Sequence, residues 1–230
     1  LIFVGAGTSG RLGVIEAAEC PPTFNTPPNL IQAIMAGGQA AVFRSREGAE
    51  DDGPAAARII RRRVRPGDAV IGIAASGLTP FVASALTTAR AQGAATILVT
   101  CNPAVRVRAD VVIAPRVGPE LIAGSTRLKA GTATKLVLNM LTVATMARLG
   151  KIYGPWMVDV RPASVKLRHR ALRIIQAVAR VSQARATTAL RASGGDVKLA
   201  IVMAARKAPA AQANALLKRA RGHLRAALNA

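Results

Sequence analysis

Three turns in this chain pair hydroxyl side chains with glycine: Gly5-Ala6-Gly7-Thr8-Ser9-Gly10, Ser76-Gly77-Leu78-Thr79-Pro80 and Gly124-Ser125-Thr126. Each stands where a helical pattern is about to begin. The first amides of such a helix have no partner within it, and they sit at the positive end of its dipole. Hydroxyls beside those amides suit phosphate and sugar oxygens. The plainer reading is that Ser76 or Thr79 only caps its helix, as these residue types commonly do. Two such turns at successive strand ends weigh against it, because ligands of open α/β sheets bind beyond the carboxyl ends of the strands. Ser125 and Thr126, ahead of a long helix, form a third polar turn of the same kind.

The glycine spacing of the first turn also fits a dinucleotide fingerprint, which requires an acid at the end of the second strand. That strand ends Ile34-Met35-Ala36-Gly37-Gly38, without one. A dinucleotide is therefore disfavoured, and a smaller phosphorylated ligand is the better match. Two carboxylates remain as candidates for proton transfer. Glu19 stands against Cys20-Pro21-Pro22, where proline stiffens the chain, and Glu50 stands in the acidic run Glu47-Gly48-Ala49-Glu50-Asp51-Asp52. Residue type alone leaves Glu19 as an exposed helix-end acid and Glu50 as part of a solvated turn. Glu16, Glu120 and Asp159 read as structural, with Lys129 a partner for Glu120 or for ligand. His169 and His223 lie in a basic tail and are poor catalytic candidates.

The elements that must position these side chains alternate between short β-branched runs and helical stretches, the pattern of a parallel sheet covered by helices. Strands are expected at 1–4, 30–35, 69–74, 96–100 and 111–114. Helices are expected near 11–18, 54–63, 80–92 and 127–149, the last with an apolar stripe through Leu128, Leu136, Val137, Met140, Leu141 and Ala144. Beyond Val158-Asp159-Val160 the pattern becomes three or four short amphipathic helices, broken at Gly194-Gly195, Pro209 and Gly222. These features divide the chain into an α/β domain over 1–160 and a small helical domain over 161–230.

The quoted segments GAGTSGRLGVIEAAECPPTF, EGAEDD, GIAASGLTP, GSTRLKAGTATKLVLNML and GKIYGPWMVDV resemble the N-acetylmuramic acid 6-phosphate etherases, of the sugar isomerase (SIS) fold class. The resemblance runs in order over about residues 1–160 and more loosely to the end. It implies a flavodoxin-like α/β sandwich and a lyase of cell-wall recycling. Such a lyase removes D-lactate from N-acetylmuramic acid 6-phosphate and leaves N-acetylglucosamine 6-phosphate, with no cofactor and no metal. Carried onto this chain, Glu19 is the acid that protonates departing lactate and Glu50 the base at C2, with the reverse order left open. Thr8, Ser9, Ser76, Gly77, Thr79, Ser125 and Thr126 are the substrate- and phosphate-binding set. A cytoplasmic homodimer is implied as well. The chain departs from the family in having Leu78 where arginine is usual, and in lacking the segment that usually precedes the first strand, so it is expected to be N-terminally incomplete. A non-catalytic SIS sensor of sugar phosphates, controlling a protein partner, is the alternative.

Composition sets further bounds. Hydrophobic residues make up 51%, yet no apolar run approaches the ~20 residues that span a bilayer, and no secretory signal pattern is present. Cys20 and Cys101 have neither metal nor redox spacing and read as reduced thiols. The net charge is +21, and residues 161–230 carry 15 Lys and Arg against the single acid Asp196. A nucleic-acid partner is nonetheless disfavoured, because that tail has no aromatic residue to stack on a base.

Overall fold

In the computed structural model, which describes residues 1–229, all five expected strands form one parallel sheet. They are β1 (Ile2–Gly5), β2 (Gln32–Met35), β3 (Ala69–Ile73), β4 (Ala95–Val99) and β5 (Val111–Ile113). Parallel strands covered on both faces are continuously apolar rather than alternating, and β1 is buried at every position. The order is β2-β1-β3-β4-β5. Strand order therefore reverses between β1 and β3, the crevice where doubly wound sheets of this order hold their ligands. This is the flavodoxin-like arrangement expected from the sequence.

Helix α1 (Gly7–Phe24) runs longer than expected at both ends. The glycine turn is itself its first turn, and α1 carries on through Pro21 and Pro22. Each proline there removes an amide bond to the carbonyl four residues back and crowds that carbonyl with its ring, and the helix ends within one turn of them. The helix stops at left-handed Asn25 (φ 50°), whose N–H donates to the Pro21 carbonyl at 2.9 Å. Gly10 allows α1 to close against the sheet: a Cβ there would collide with Met35 Sδ and lie 2.6 Å from the Gly5 carbonyl oxygen.

Between β2 and β3 the chain makes α2 (Ala40–Phe43), a 3-10 turn (Ala49–Asp51) and α3 (Gly53–Arg63). The first two are too short for a helical period to register in sequence. Asp52 caps α3, accepting from the Ala55 N–H at 2.8 Å. Helices α4 (Pro80–Ala91) and α5 (Lys129–Arg148) follow β3 and β5. The core on one side of the sheet gathers Ile2, Val4, Ile34, Ile60, Val70, Phe81, Leu86 and Leu98. On α5, Val137 and Leu138 are buried, whereas Leu136 and Met140 are exposed, so the expected apolar stripe is only partly interior.

Contacts divide the chain into two compact units, one of residues 1–19 and 27–141, the other of 20–26 and 142–230. In the second, a hairpin of β6 (Ile152–Tyr153) and β7 (Trp156–Met157) precedes five helices: α6 (Val165–Ala179), α7 (Gln183–Ala192), α8 (Val197–Arg206), α9 (Ala210–Arg219) and α10 (Leu224–Asn229). Three or four helices were expected. The additional break lies at Arg180, which is left-handed (φ 53°), followed by Ser182 capping α7 through the Arg185 N–H. No glycine or proline marks it. Ile174, Ile175, Ile201, Val202 and Leu224 form the core of this unit. Its carboxylates are committed internally: Asp159 pairs with Lys151 at 2.8 Å and Lys198 at 2.7 Å, and Asp196 caps α8 through the Leu199 N–H.

Candidate functional site

The β1 and β3 turns flank the crevice at which strand order reverses, and both leave hydroxyls uncommitted. Among the described residues, no hydrogen bond engages the side chains of Thr8 or Ser9. Thr79 occupies the N-cap position of α4 in extended conformation (φ −68°, ψ 113°) but makes no side-chain cap bond. The cap-only reading is therefore not realised at Thr79. Ser76 accepts from the Leu78 N–H at 3.3 Å, a local turn bond that leaves its own proton available.

The β3 turn is held from beneath by residues following β4. Thr100 donates to the Ala75 carbonyl at 3.1 Å, and Asn102 Nδ2 to the Ser76 carbonyl at 2.9 Å. Gly77 takes φ +74°, and a Cβ there would collide with Val105. Its part is thus to let the chain pass close over Val105, and its own N–H closes the turn by donating to the Ala74 carbonyl at 2.9 Å. Leu78 is 73% exposed beside it.

Glu50 lies in the 3-10 turn after β2 and lines a cavity of 140 Å³ with Ala6, Gly7, Arg11, Met35, Arg46 and Glu47. This places a carboxylate next to the first glycine turn. Two arginines shape the cavity, and neither was singled out in sequence. Arg11, one turn into α1, donates from Nε to the Val42 carbonyl at 2.7 Å and from Nη2 to the Ala41 carbonyl at 2.9 Å. Those carbonyls belong to the last residues of α2, where helix acceptors lack partners and a cation is favoured. Arg11 so ties α1 to the segment leading to Glu50. Arg46 makes a single bond, from Nη1 to the Gly37 carbonyl at 3.0 Å.

Glu19 is not brought to that cavity. It is exposed on α1, twelve residues beyond Gly7, a displacement of about 18 Å along the helix axis. One turn before it, Glu16 is buried and accepts from Lys135 Nζ at 2.7 Å and Asn139 Nδ2 at 2.8 Å, joining α1 to α5. Glu16 is structural, as its sequence context suggests.

The third polar turn differs from the other two. Glu120 reaches back to the start of α5, where its two carboxylate oxygens accept from the Lys129 and Ala130 N–H groups, each at 2.9 Å. The Ala130 N–H holds its carboxyl below the ordinary value of 4.5, assisted by the Lys129 N–H and the Lys129 charge. Ser125 and Thr126 therefore precede a helix whose leading amides already hold an anion. Glu120 meets Lys129 through the backbone amide, not as the side-chain pair that their proximity in sequence suggested.

Residues 1–90 match the family model for the glucokinase regulatory protein N-terminal SIS domain. The stretch contains both hydroxyl turns of the crevice and Glu50. A protein of Symbiobacterium thermophilum called N-acetylmuramic acid 6-phosphate etherase is 58% identical over 205 residues, 88% of this chain and 68% of the relative. Identically named proteins of Microcystis aeruginosa and Geobacillus thermodenitrificans are 53% and 50% identical, covering 76% and 78% of their own lengths. The chain belongs to the N-acetylmuramic acid 6-phosphate etherase family. Family membership accounts for a phosphate-compatible crevice that lacks the acid a dinucleotide would need. It also accounts for the match to a regulatory SIS domain, since the shared part is the sheet with its turns. Among the described residues, no group of three His, Cys, Asp or Glu side chains is placed to hold a metal ion, and no helix is long and apolar enough to cross a membrane.

Proposed function

We propose that this chain cleaves the C3 D-lactyl ether of N-acetylmuramic acid 6-phosphate, giving N-acetylglucosamine 6-phosphate and D-lactate. The observation that carries the reading is Glu50 in a cavity shared with the first glycine turn, beside a crevice with uncommitted hydroxyls on both sides. The phosphate is received by the hydroxyls of Thr8, Ser9, Ser76 and Thr79, with Gly77 shaping the β3 turn and Ser125 and Thr126 making minor contacts. In the ring-opened sugar the C2 proton is adjacent to an aldehyde and is acidified by it. Glu50 takes that proton, the C2–H electrons form the C2=C3 bond, and the C3–O bond breaks. Glu19 gives its proton to the departing lactate oxygen. Glu19 then removes a proton from water, which adds at C3, while Glu50 returns its proton to C2. Both carboxyls are restored, and atoms and charge balance. Positioned acids and bases of this kind contribute ~10²–10⁴-fold each.

Twelve helical positions separate Glu19 from the cavity end of α1, so a reaction using both glutamates recruits Glu19 from a second copy of the chain. Ile15 on α1 and Leu136 and Met140 on α5 are exposed apolar residues suited to packing against such a copy. The working form is a homodimer, acting in the cytoplasm where reduced Cys20 and Cys101 belong.

The test is release of D-lactate from N-acetylmuramic acid 6-phosphate. Glu50→Gln is expected to slow release by ~10²–10⁴-fold. Glu19→Gln is expected to slow release comparably while sparing some exchange of the C2 proton with solvent. Mixing the two inactive variants should restore part of the activity, because a mixed dimer contains one intact site. Binding of N-acetylglucosamine 6-phosphate without any lactate release by the unmodified chain would overturn the lyase reading in favour of a sensor. Failure of the mixture alone would overturn the shared site.

A further inference from the structure

We infer that the cavity beside Glu50 is the subsite for the lactyl carboxylate of the substrate, with the Arg46 guanidinium as its counter-ion; this rests on the lyase reading above. At 140 Å³ the cavity is smaller than a site for a whole hexose phosphate. It suits a fragment of the ligand, and the lactyl group is the fragment that must lie there. It hangs from C3, one bond from the C2 carbon that the base attacks, so a group that pairs with its carboxylate stands next to the base. Glu50 and Arg46 line the same cavity.

Charge makes a counter-ion necessary. A base that takes the C2 proton is itself a carboxylate, Glu47 lines the same wall, and the arriving lactyl carboxylate is a third negative charge. Like charges brought this close disfavour binding unless a cation stands between them. Two cations line the cavity. Arg11 has Nε and Nη2 committed to the Val42 and Ala41 carbonyls, which fixes its guanidinium as a strut. Arg46 has one donor committed, to the Gly37 carbonyl, and its remaining N–H groups have no partner among the described residues. A planar fork with free donors pairs with a carboxylate through two parallel hydrogen bonds, a geometry that lysine cannot reproduce. The arrangement separates substrate from product by chemistry: both contain the phosphate and the N-acetyl group, and only the substrate has the carboxylate.

The experiment compares two ligands on the unmodified chain, Arg46→Gln and Arg46→Lys. Arg46→Gln should raise KM for N-acetylmuramic acid 6-phosphate about 10- to 100-fold, the range for losing a charge-assisted hydrogen bond. Its Kd for N-acetylglucosamine 6-phosphate should stay within about twofold, far below the tenfold that 1.4 kcal/mol represents, which also shows the variant folded. Arg46→Lys should fall between the two. Equal weakening of both ligands, or no weakening of either, overturns the subsite while lactate release by the unmodified chain leaves the lyase reading standing. Absence of lactate release by the unmodified chain overturns both.

Discussion

The turns before α4 and α5 each set two hydroxyl residues ahead of a helix, yet only the first leaves its helix end open to a ligand. At α4 the Thr79 hydroxyl makes no cap bond, and the turn is held in place through carbonyls, by Thr100 and Asn102. At α5 a carboxylate of the chain itself fills the position an anionic ligand would take. Both ends satisfy the same electrostatic demand, one by an internal anion and the other by waiting for an external one. The lesson concerns where supporting bonds are made. Support through backbone acceptors leaves side-chain donors free for binding, whereas support through the helix amides consumes the binding site.

The sharpest way to break this contrast is to strip hydroxyls from both turns. Ser76→Ala with Thr79→Val is expected to weaken N-acetylglucosamine 6-phosphate by about 10- to 100-fold, as loss of hydrogen bonds to a charged group should. Ser125→Ala with Thr126→Val should change the same Kd by less than about threefold, a fraction of the 1.4 kcal/mol that gives tenfold. Isothermal titration of the two double variants decides it. Equal losses would mean that the α5 turn also grips the ligand and that Glu120 is displaced on binding.

A smaller effect is expected from loosening the support without touching the ligand. Asn102→Ala removes the bond to the Ser76 carbonyl and should raise the Kd about three- to tenfold, the size of one ordinary hydrogen bond. Thr79 should then contribute less in an Asn102→Ala background than in the unmodified chain, since a slack turn no longer aims it. Strict additivity in that double-variant cycle would show that Asn102 acts elsewhere.

How far the sequence revealed this arrangement follows from the range of each interaction. The five strands and the hydroxyl turns are local patterns of apolar runs ended by glycine, and they appear in the fold with boundaries shifted by one or two residues. Strand order is not local, but the motif resemblance carried it. Arg11 and Arg46 escaped notice because their partners are carbonyls of Ala41, Val42 and Gly37, and backbone acceptors leave no mark in residue type. Glu120 was assigned a structural part, yet its closure on the α5 amides depends on a loop reversal that composition does not specify. The separation of Glu19 from the Glu50 cavity was equally hidden: Glu19 stands twelve residues along α1 from Gly7, which lines that cavity, and the unbroken helix between them fixes the distance. The break at Arg180 had no signal, because a left-handed arginine is indistinguishable from a helical one in sequence.

The smallest effect tests the closed end of the comparison. Glu120→Ala should lower the melting temperature by a few degrees and leave the Kd for N-acetylglucosamine 6-phosphate unchanged. Inorganic phosphate should recover part of the loss in this variant alone, by taking the amide position that the carboxylate vacates. Acid should erase the difference from the unmodified chain. The folded carboxyl titrates below the ordinary 4.5 because it accepts from the Ala130 and Lys129 amides. A group with a depressed folded value contributes its stability fully above the unfolded value and loses it as pH falls through the folded one. The two melting temperatures should therefore run parallel above pH 4.5 and converge as the solution is acidified beneath it. Asp110, held down chiefly by the Thr96 hydroxyl, titrates in both proteins and cancels in the difference. A gap that persists unchanged into strong acid would mean that Glu120 stabilises the turn by packing rather than by its charge on the helix end.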